Sequence, residues 1–150
     1  GIGWYTRLEF PYLNNIMEHG EYVHIEKAGL KIYPEYGTYS DFNALPDSIF
    51  LYIADENNVV TDAVKDYLGK QVQGGKLVKD DLFLGNTYYY FDVTQFMKEE
   101  LGASGKYKHN LQLVFNSDDY TKTLKNLTFS APNGQNPIIL QLNYKIYESY

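Results

Sequence analysis

Chemistry in this chain has few side chains to draw on. His19, His24 and His109 are the only imidazoles, and there is no cysteine. Disulfides, thiolate nucleophiles, zinc–thiolate sites and iron–sulfur clusters are therefore excluded. His19 and His24 stand five apart across Gly20, neither a helical i,i+4 pair nor a same-face strand pair. Glu18, Glu21 and Glu26 would complete a zinc shell only if the chain folded back on itself. Nucleotide motifs fail as well. Gly75-Lys76 is followed by Leu77 where a P-loop needs Ser or Thr, and Lys70 stands where its first glycine belongs. Gly105-Lys106 fails likewise. There is no Gly-x-Ser-x-Gly elbow, and Ser104 falls in a predicted helix-terminating loop without an acid–base neighbour.

The acidic pairs Asp80-Asp81, Glu99-Glu100 and Asp118-Asp119 are where a glycosidase would find its two carboxylates, which must sit ~5–9 Å apart in space. Their surroundings favour solvated acids, with the aspartates at turns and the glutamates on the outside of a helix. We assign no catalytic residue and expect no cofactor, so the chain reads as a non-enzyme. For a metal, the best oxygen-rich segment is Asp55-Glu56-Asn57-Asn58 with Asp62 beyond it. Its spacing is not that of an EF-hand, and Asp55, Asn57 and Asp62 are the candidate calcium ligands. The strongest candidate for binding is aromatic. Tyr33, Tyr36, Tyr39 and Phe42 surround Asp41 in one loop, and Tyr120 lies beside Asp118 and Asp119 in another. Sugars stack on aromatic faces while carboxylates accept their hydroxyl protons, so Tyr36, Tyr39 and Asp41 form the candidate ligand site. The competing expectation is that these tyrosines fold down over the open end of a sandwich.

The elements that must position these residues are strands. Trp4, Thr6, Leu8 and Phe10 alternate with polar neighbours until Pro11, and Tyr12, Leu13, Ile16 and Met17 then make a one-turn helical pattern before Gly20. Val23 and Ile25 share one phase, and Ala28, Leu30 and Ile32 the other, which predicts a bulge near Lys27. A long loop covers 34–46. Ile49, Leu51 and Ile53 mark a third strand, Val59-Val60 starts a short one, and 62–68 reads as a helical turn before Gly74-Gly75. Residues 77–84 and 87–93 flank Gly85-Asn86, a predicted tight hairpin turn, with Tyr88-Tyr89-Tyr90 alternating out and in. Asp92 and Gln95 form an N-cap and N3 pair for a helix with Val93, Phe96, Met97 and Leu101 on one face, ending at Gly102. Leu111, Leu113 and Phe115, then 124–129, then Leu140, Leu142, Tyr144 and Ile146 mark the last strands, the final one predicted to be central.

About eight antiparallel strands, one short helix and no βα rhythm predict an all-β, jelly-roll-like β-sandwich. One domain over residues 1–150 accommodates it. The 16 Tyr and 8 Phe fit a strand-rich chain. With 13 Lys+Arg thinly spread and a net charge of −6, nucleic acid is not an expected partner. No apolar run approaches the ~20 residues of a membrane helix. The opening Gly1-Ile2-Gly3, without an initiator Met, points to a domain excised from a longer processed precursor.

Tyr5-Thr6-Arg7-Leu8-Glu9-Phe10-Pro11-Tyr12-Leu13 followed by Ile25-Glu26-Lys27-Ala28-Gly29-Leu30 resembles the opening of a family of Bacteroidetes surface lipoproteins defined as a domain of unknown function. Gly74-Gly75, Tyr89-Tyr90-Phe91-Asp92-Val93-Thr94-Gln95-Phe96, Leu111-Gln112-Leu113 and Leu140-Gln141-Leu142-Asn143-Tyr144 follow in the family's order. Gly29, where an acidic residue is expected, departs from it. The resemblance implies an extracytoplasmic envelope or surface lipoprotein, touching the membrane only through an N-terminal lipid anchor outside this chain. It also implies a domain similar to jelly-roll carbohydrate-binding modules, with no family catalytic residues. The expected function is a non-catalytic binding module with polysaccharide as its partner, the alternative being a structural or interaction domain that contacts an envelope protein.

Overall fold

Strand after strand buries alternate side chains, which is how the sequence pairs into sheets instead of helices. The computed structural model describes residues 5–18, 22–66, 68–82, 85–104, 109–115, 127–129 and 137–147. Trp4, His19, Gly20, Glu21, Gly105, Lys106, Asp118, Asp119, Tyr120 and the start of the expected 124–129 strand lie outside them. The elements are β1 (Thr6–Leu8), α1 (Leu13–Met17), β2 (Tyr22–Ile32), β3 (Ile49–Ala54), β4 (Val60–Ala63), β5 (Lys76–Val78), β6 (Tyr88–Asp92), α2 (Thr94–Ser104), β7 (Asn110–Phe115) and β8 (Ile139–Tyr147). A first sheet has the order β1-β7-β3-β4 and a second β5-β6-β2-β8, all neighbours antiparallel. The chain is an all-β sandwich.

Between the sheets lie Leu8, Ile49, Leu51, Leu111 and Leu113 from the first and Ile25, Ala28, Leu30, Ile32, Tyr89 and Phe91 from the second. Removing this apolar area from water is the main force holding the layers together. Tyr89 is fully buried, and its hydroxyl donates to the Pro46 carbonyl at 2.5 Å, so no polar atom of the ring is stranded. The phase change in β2 is where the sequence puts it: the register with β8 shifts between Ile25 and Lys27. α2 buries Phe96, Met97 and Leu101, with Val93 ahead of them, as expected.

Four local expectations are corrected. The expected helical turn over 62–68 is not formed by its described residues: Asp62 and Ala63 end β4, Lys65 bridges Val72, and the Asp66 carboxylate accepts the Lys70 N–H at 2.9 Å beside Gly69 (φ 68°). The β5–β6 hairpin does not turn tightly on Gly85-Asn86. Val78 pairs with Tyr88, and Asp80 organises the loop by accepting the N–H groups of Leu82 and Asn86. α2 starts one residue later than a cap at Asp92 requires and runs past Gly102 to Ser104. Asp92 accepts the Thr94 N–H, whereas Gln95 bonds forward to Glu99. The Asp92 N–H is already committed to Gln73, at 2.6 Å.

The last correction is the largest. β8 pairs with β2 alone among the described residues and forms a sheet edge. Leu140 and Leu142 are half-buried against the core, but Tyr144 and Ile146 are 42% and 39% exposed. They keep the inward phase, in the rows of Ile25 and Val23, but on the edge strand they stay open to solvent.

Candidate functional site

The outward positions of the second sheet gather the most varied chemistry on the molecule. Register fixes them row by row. Val78 pairs with Tyr88; Lys76 with Tyr90, which pairs with Lys31, which pairs with Ile139; Gly29 lies between Asp92 and Gln141; Lys27 pairs with Asn143. All of them except Asp92 and Ile139 line a groove of about 520 Å³.

Gly29 sets the centre of this groove. A Cβ there would lie 2.9 Å from both Cε2 and Oη of Tyr90, so only glycine lets that ring extend across β2. Tyr88 is held from two sides. Tyr33 packs at 5.5 Å between ring centroids, and the Lys31 ammonium sits 5.1 Å from its ring centre. Lys27, Lys31 and Lys76 form no ion pair among the described residues. The carboxylate in the same rows, Asp92, accepts the Thr94 N–H and hydroxyl. Past the Lys27 end, Glu26 pairs with Lys145 across the bulge. The hydrogen bond and charge of Lys145 hold the Glu26 carboxyl below its ordinary value, and Glu26 raises Lys145 in return.

The scaffold beneath is tied at the bulge. Ala28 donates its N–H to the Thr94 hydroxyl at 2.9 Å and accepts the Val93 N–H at 3.0 Å, so the start of α2 is bolted to β2. Gln73 acts as a strand residue in side-chain form. Its amide accepts the Asp92 N–H and donates to the Asp92 carbonyl at 2.9 Å. Gly74-Gly75 carries the chain between sheets: Gly74 bridges Phe50, and Gly75 lies under the Phe91 ring, where a Cβ would overlap it.

The residues singled out from sequence are placed differently. The loop of residues 35–43 is closed by Glu35, Thr38 and Asn43 hydrogen bonds, with Gly37 at φ 83°. Tyr36 is 60% exposed and Asp41 is exposed, but Tyr39 packs against the core, and Tyr33 belongs to the sheet groove. The loop therefore turns Tyr36 and the fully exposed Phe42 outward, while Tyr39, the other tyrosine of the expected site, packs in.

The calcium candidates are used locally. Asp55 accepts the N–H groups of Asn57 and Val59, both at 2.9 Å, and Asp62 accepts from Ala63 and pairs with Lys65. The turn they form is fastened to the first sheet by Arg7, Asn110 and Gln112. Among the described residues no group of three or more His, Asp or Glu could hold a metal.

Of the paired acids, Asp80 shapes its loop and Glu99 holds Gln95. Glu100 is not on the solvent side of α2 as expected. Its side chain is 10% exposed and meets His109 Nδ1 at 2.5 Å, linking the helix to β7. A second acidic groove, with Asp62, Asp66, Asp92 and Glu99, is similarly engaged. Asp62 and Asp66 are held below the usual carboxylate range by Lys65 and by the Lys70 N–H, the reverse of what a general acid needs.

Strand alternation marks the inward set in the sequence and leaves the residues of the sheet groove looking like ordinary solvent-facing positions. The outward complement, Lys27-x-Gly29-x-Lys31 with Tyr88-x-Tyr90 and Gln141-x-Asn143, is the available signal. Comparison of the chain with protein-family models, curated proteins and solved structures gives no match in any of the three.

Proposed function

We propose that this chain is a non-catalytic glycan-binding domain whose contact surface is the outer face of the second sheet. The observation that carries this reading is Tyr90 drawn across Gly29, between charged rows and beside Gln141 and Asn143. A tyrosine offers a large face with two torsions to fix, so little entropy is lost when a sugar packs on it. Amides supply both donors and acceptors for hydroxyl groups. A shallow, open groove of this kind gives a Kd near ~0.1–1 mM, or about 4–5.5 kcal/mol. An extracytoplasmic setting, as the lipoprotein resemblance implies, is where such a domain meets polysaccharide.

Titration of polysaccharides against the parent and a Tyr88→Ala/Tyr90→Ala variant, followed by backbone NMR shifts, tests it. Saturating shifts in the parent that the variant loses are expected. An absence of shifts with every glycan would remove the reading and leave a structural or interaction domain, for which the edges of β1 and β8, unpaired among the described residues, and an apolar groove lined from both sheets speak. That groove, about 730 Å³, is lined by Leu8, Phe10, Tyr12, Ile16, Phe129 and Ile138 among others.

A further inference from the structure

Of the four lysines on the outward face of the second sheet, Lys145 is paired with Glu26, which leaves Lys27, Lys31 and Lys76. Adjacent strands lie ~4.8 Å apart, so Lys76 and Lys31, separated by Tyr90 in the same row, stand roughly 10 Å apart at their backbones. Lys27 is two outward steps from Lys31 along β2, about 13 Å. The cations thus surround Tyr90, and no carboxylate among the described residues pairs with them. Asp92, in the Gly29 row between Lys27 and Lys31, is engaged by Thr94, so the face keeps an excess of positive charge that an anionic ligand would relieve.

We infer that the ligand of this face is an anionic polysaccharide, its acidic groups met by Lys27, Lys31 and Lys76 while a sugar ring packs on Tyr90. This rests on the glycan reading above and narrows it. The ammonium is a compact point charge with three donors, so it accepts carboxylate and sulfate alike. Nucleic acid fits less well. A duplex brings one charge per ~1.7 Å, against which three lysines over about 13 Å are sparse, and the remaining surface of the protein is acidic. Gln141 and Asn143 also point to hydroxyl-rich partners.

The test is a binding series on the intact chain with polygalacturonate, chondroitin sulfate, an uncharged galactan and double-stranded DNA, at about 50 and about 500 mM salt. Polygalacturonate, chondroitin sulfate or both should bind, and binding should weaken by about ten- to a hundredfold at the higher salt. Each of Lys27→Gln, Lys31→Gln and Lys76→Gln should weaken it about two- to fivefold, exposed charge pairs being modest individually. These are surface changes, and an unaltered melting temperature confirms that each variant folds. Galactan binding as strong as that of the acidic polymers, unaffected by salt or by the glutamines, would overturn the inference and leave the glycan reading standing. Binding of no polysaccharide would overturn both, and binding of DNA alone would replace them with a nucleic-acid surface. Charge-dependent binding that Tyr90→Ala leaves untouched would also overturn the proposal, since the ring would then play no part.

Discussion

Gly29 owes its place to what lies above it. The Tyr90 atoms that a Cβ would strike, Cε2 and Oη, are the far end of a side chain that can swing aside. Gly29 is buried, but because the ring can give way Gly29→Ala should change stability by only about 1 kcal/mol. It should nevertheless weaken glycan binding severalfold, because Tyr90 leaves its place. A urea melt and a titration on the same sample check both halves. An acidic residue here would displace the ring and add a second carboxylate, beside Asp92, among the lysines. At Tyr89 the expectation is the opposite. Its hydroxyl is the partner of the Pro46 carbonyl, and Tyr89→Phe should cost about 1–3 kcal/mol in a denaturant melt with binding retained by the folded fraction.

Among the elements, β8 shows how far periodicity reaches. Leu140, Leu142, Tyr144 and Ile146 do share one face, as their alternation says, but alternation cannot report how many neighbours a strand has. Hence Leu142→Ala, at a half-buried edge position, should cost only about 1 kcal/mol. Leu30→Ala, in the fully buried middle of β2, should cost about 2–5 kcal/mol. Equal losses in urea melts would put β8 in the interior after all. The capping of α2 was similarly half legible. The apolar face Val93, Phe96, Met97 and Leu101 is written in the sequence, whereas Gln73, distant in sequence, takes the N–H that a capping box would have used. Gln73→Ala strands that N–H and should destabilise the fold by about 1–3 kcal/mol.

The Glu26–Lys145 pair joins β2 to β8 and gives the sheet a pH dependence of known sign. Glu26 is shifted below 4.5, so its contribution is present above that value and is lost as pH falls through the lowered pKa. Lys145 is shifted above 10.5, so its contribution is present below that value and is lost as pH rises through the raised pKa. The difference in urea midpoint between the parent and Glu26→Gln should be small, widest between about pH 5 and about pH 10, and gone in strong acid. A difference that persists unchanged into acid would assign the effect to packing instead of charge.

At the scale of the molecule, the sandwich was legible because burial leaves a two-residue rhythm, and even the bulge in β2 announced itself as a phase change. The candidate site was not, because it is assembled from four strands far apart in sequence. Lys76, Tyr90, Lys31 and Ile139 share one row only after the order β5-β6-β2-β8 is formed. The loop with Tyr36, Tyr39 and Asp41 drew attention because its aromatics are close in sequence, yet Tyr39 packs inward. Chemical-shift mapping of the parent chain with an acidic polysaccharide decides between the two surfaces. The account predicts that the perturbed amides cluster at Lys27, Gly29, Lys31, Lys76, Tyr88, Tyr90, Gln141 and Asn143. Shifts confined to residues 35–43, or none at any concentration, would contradict it.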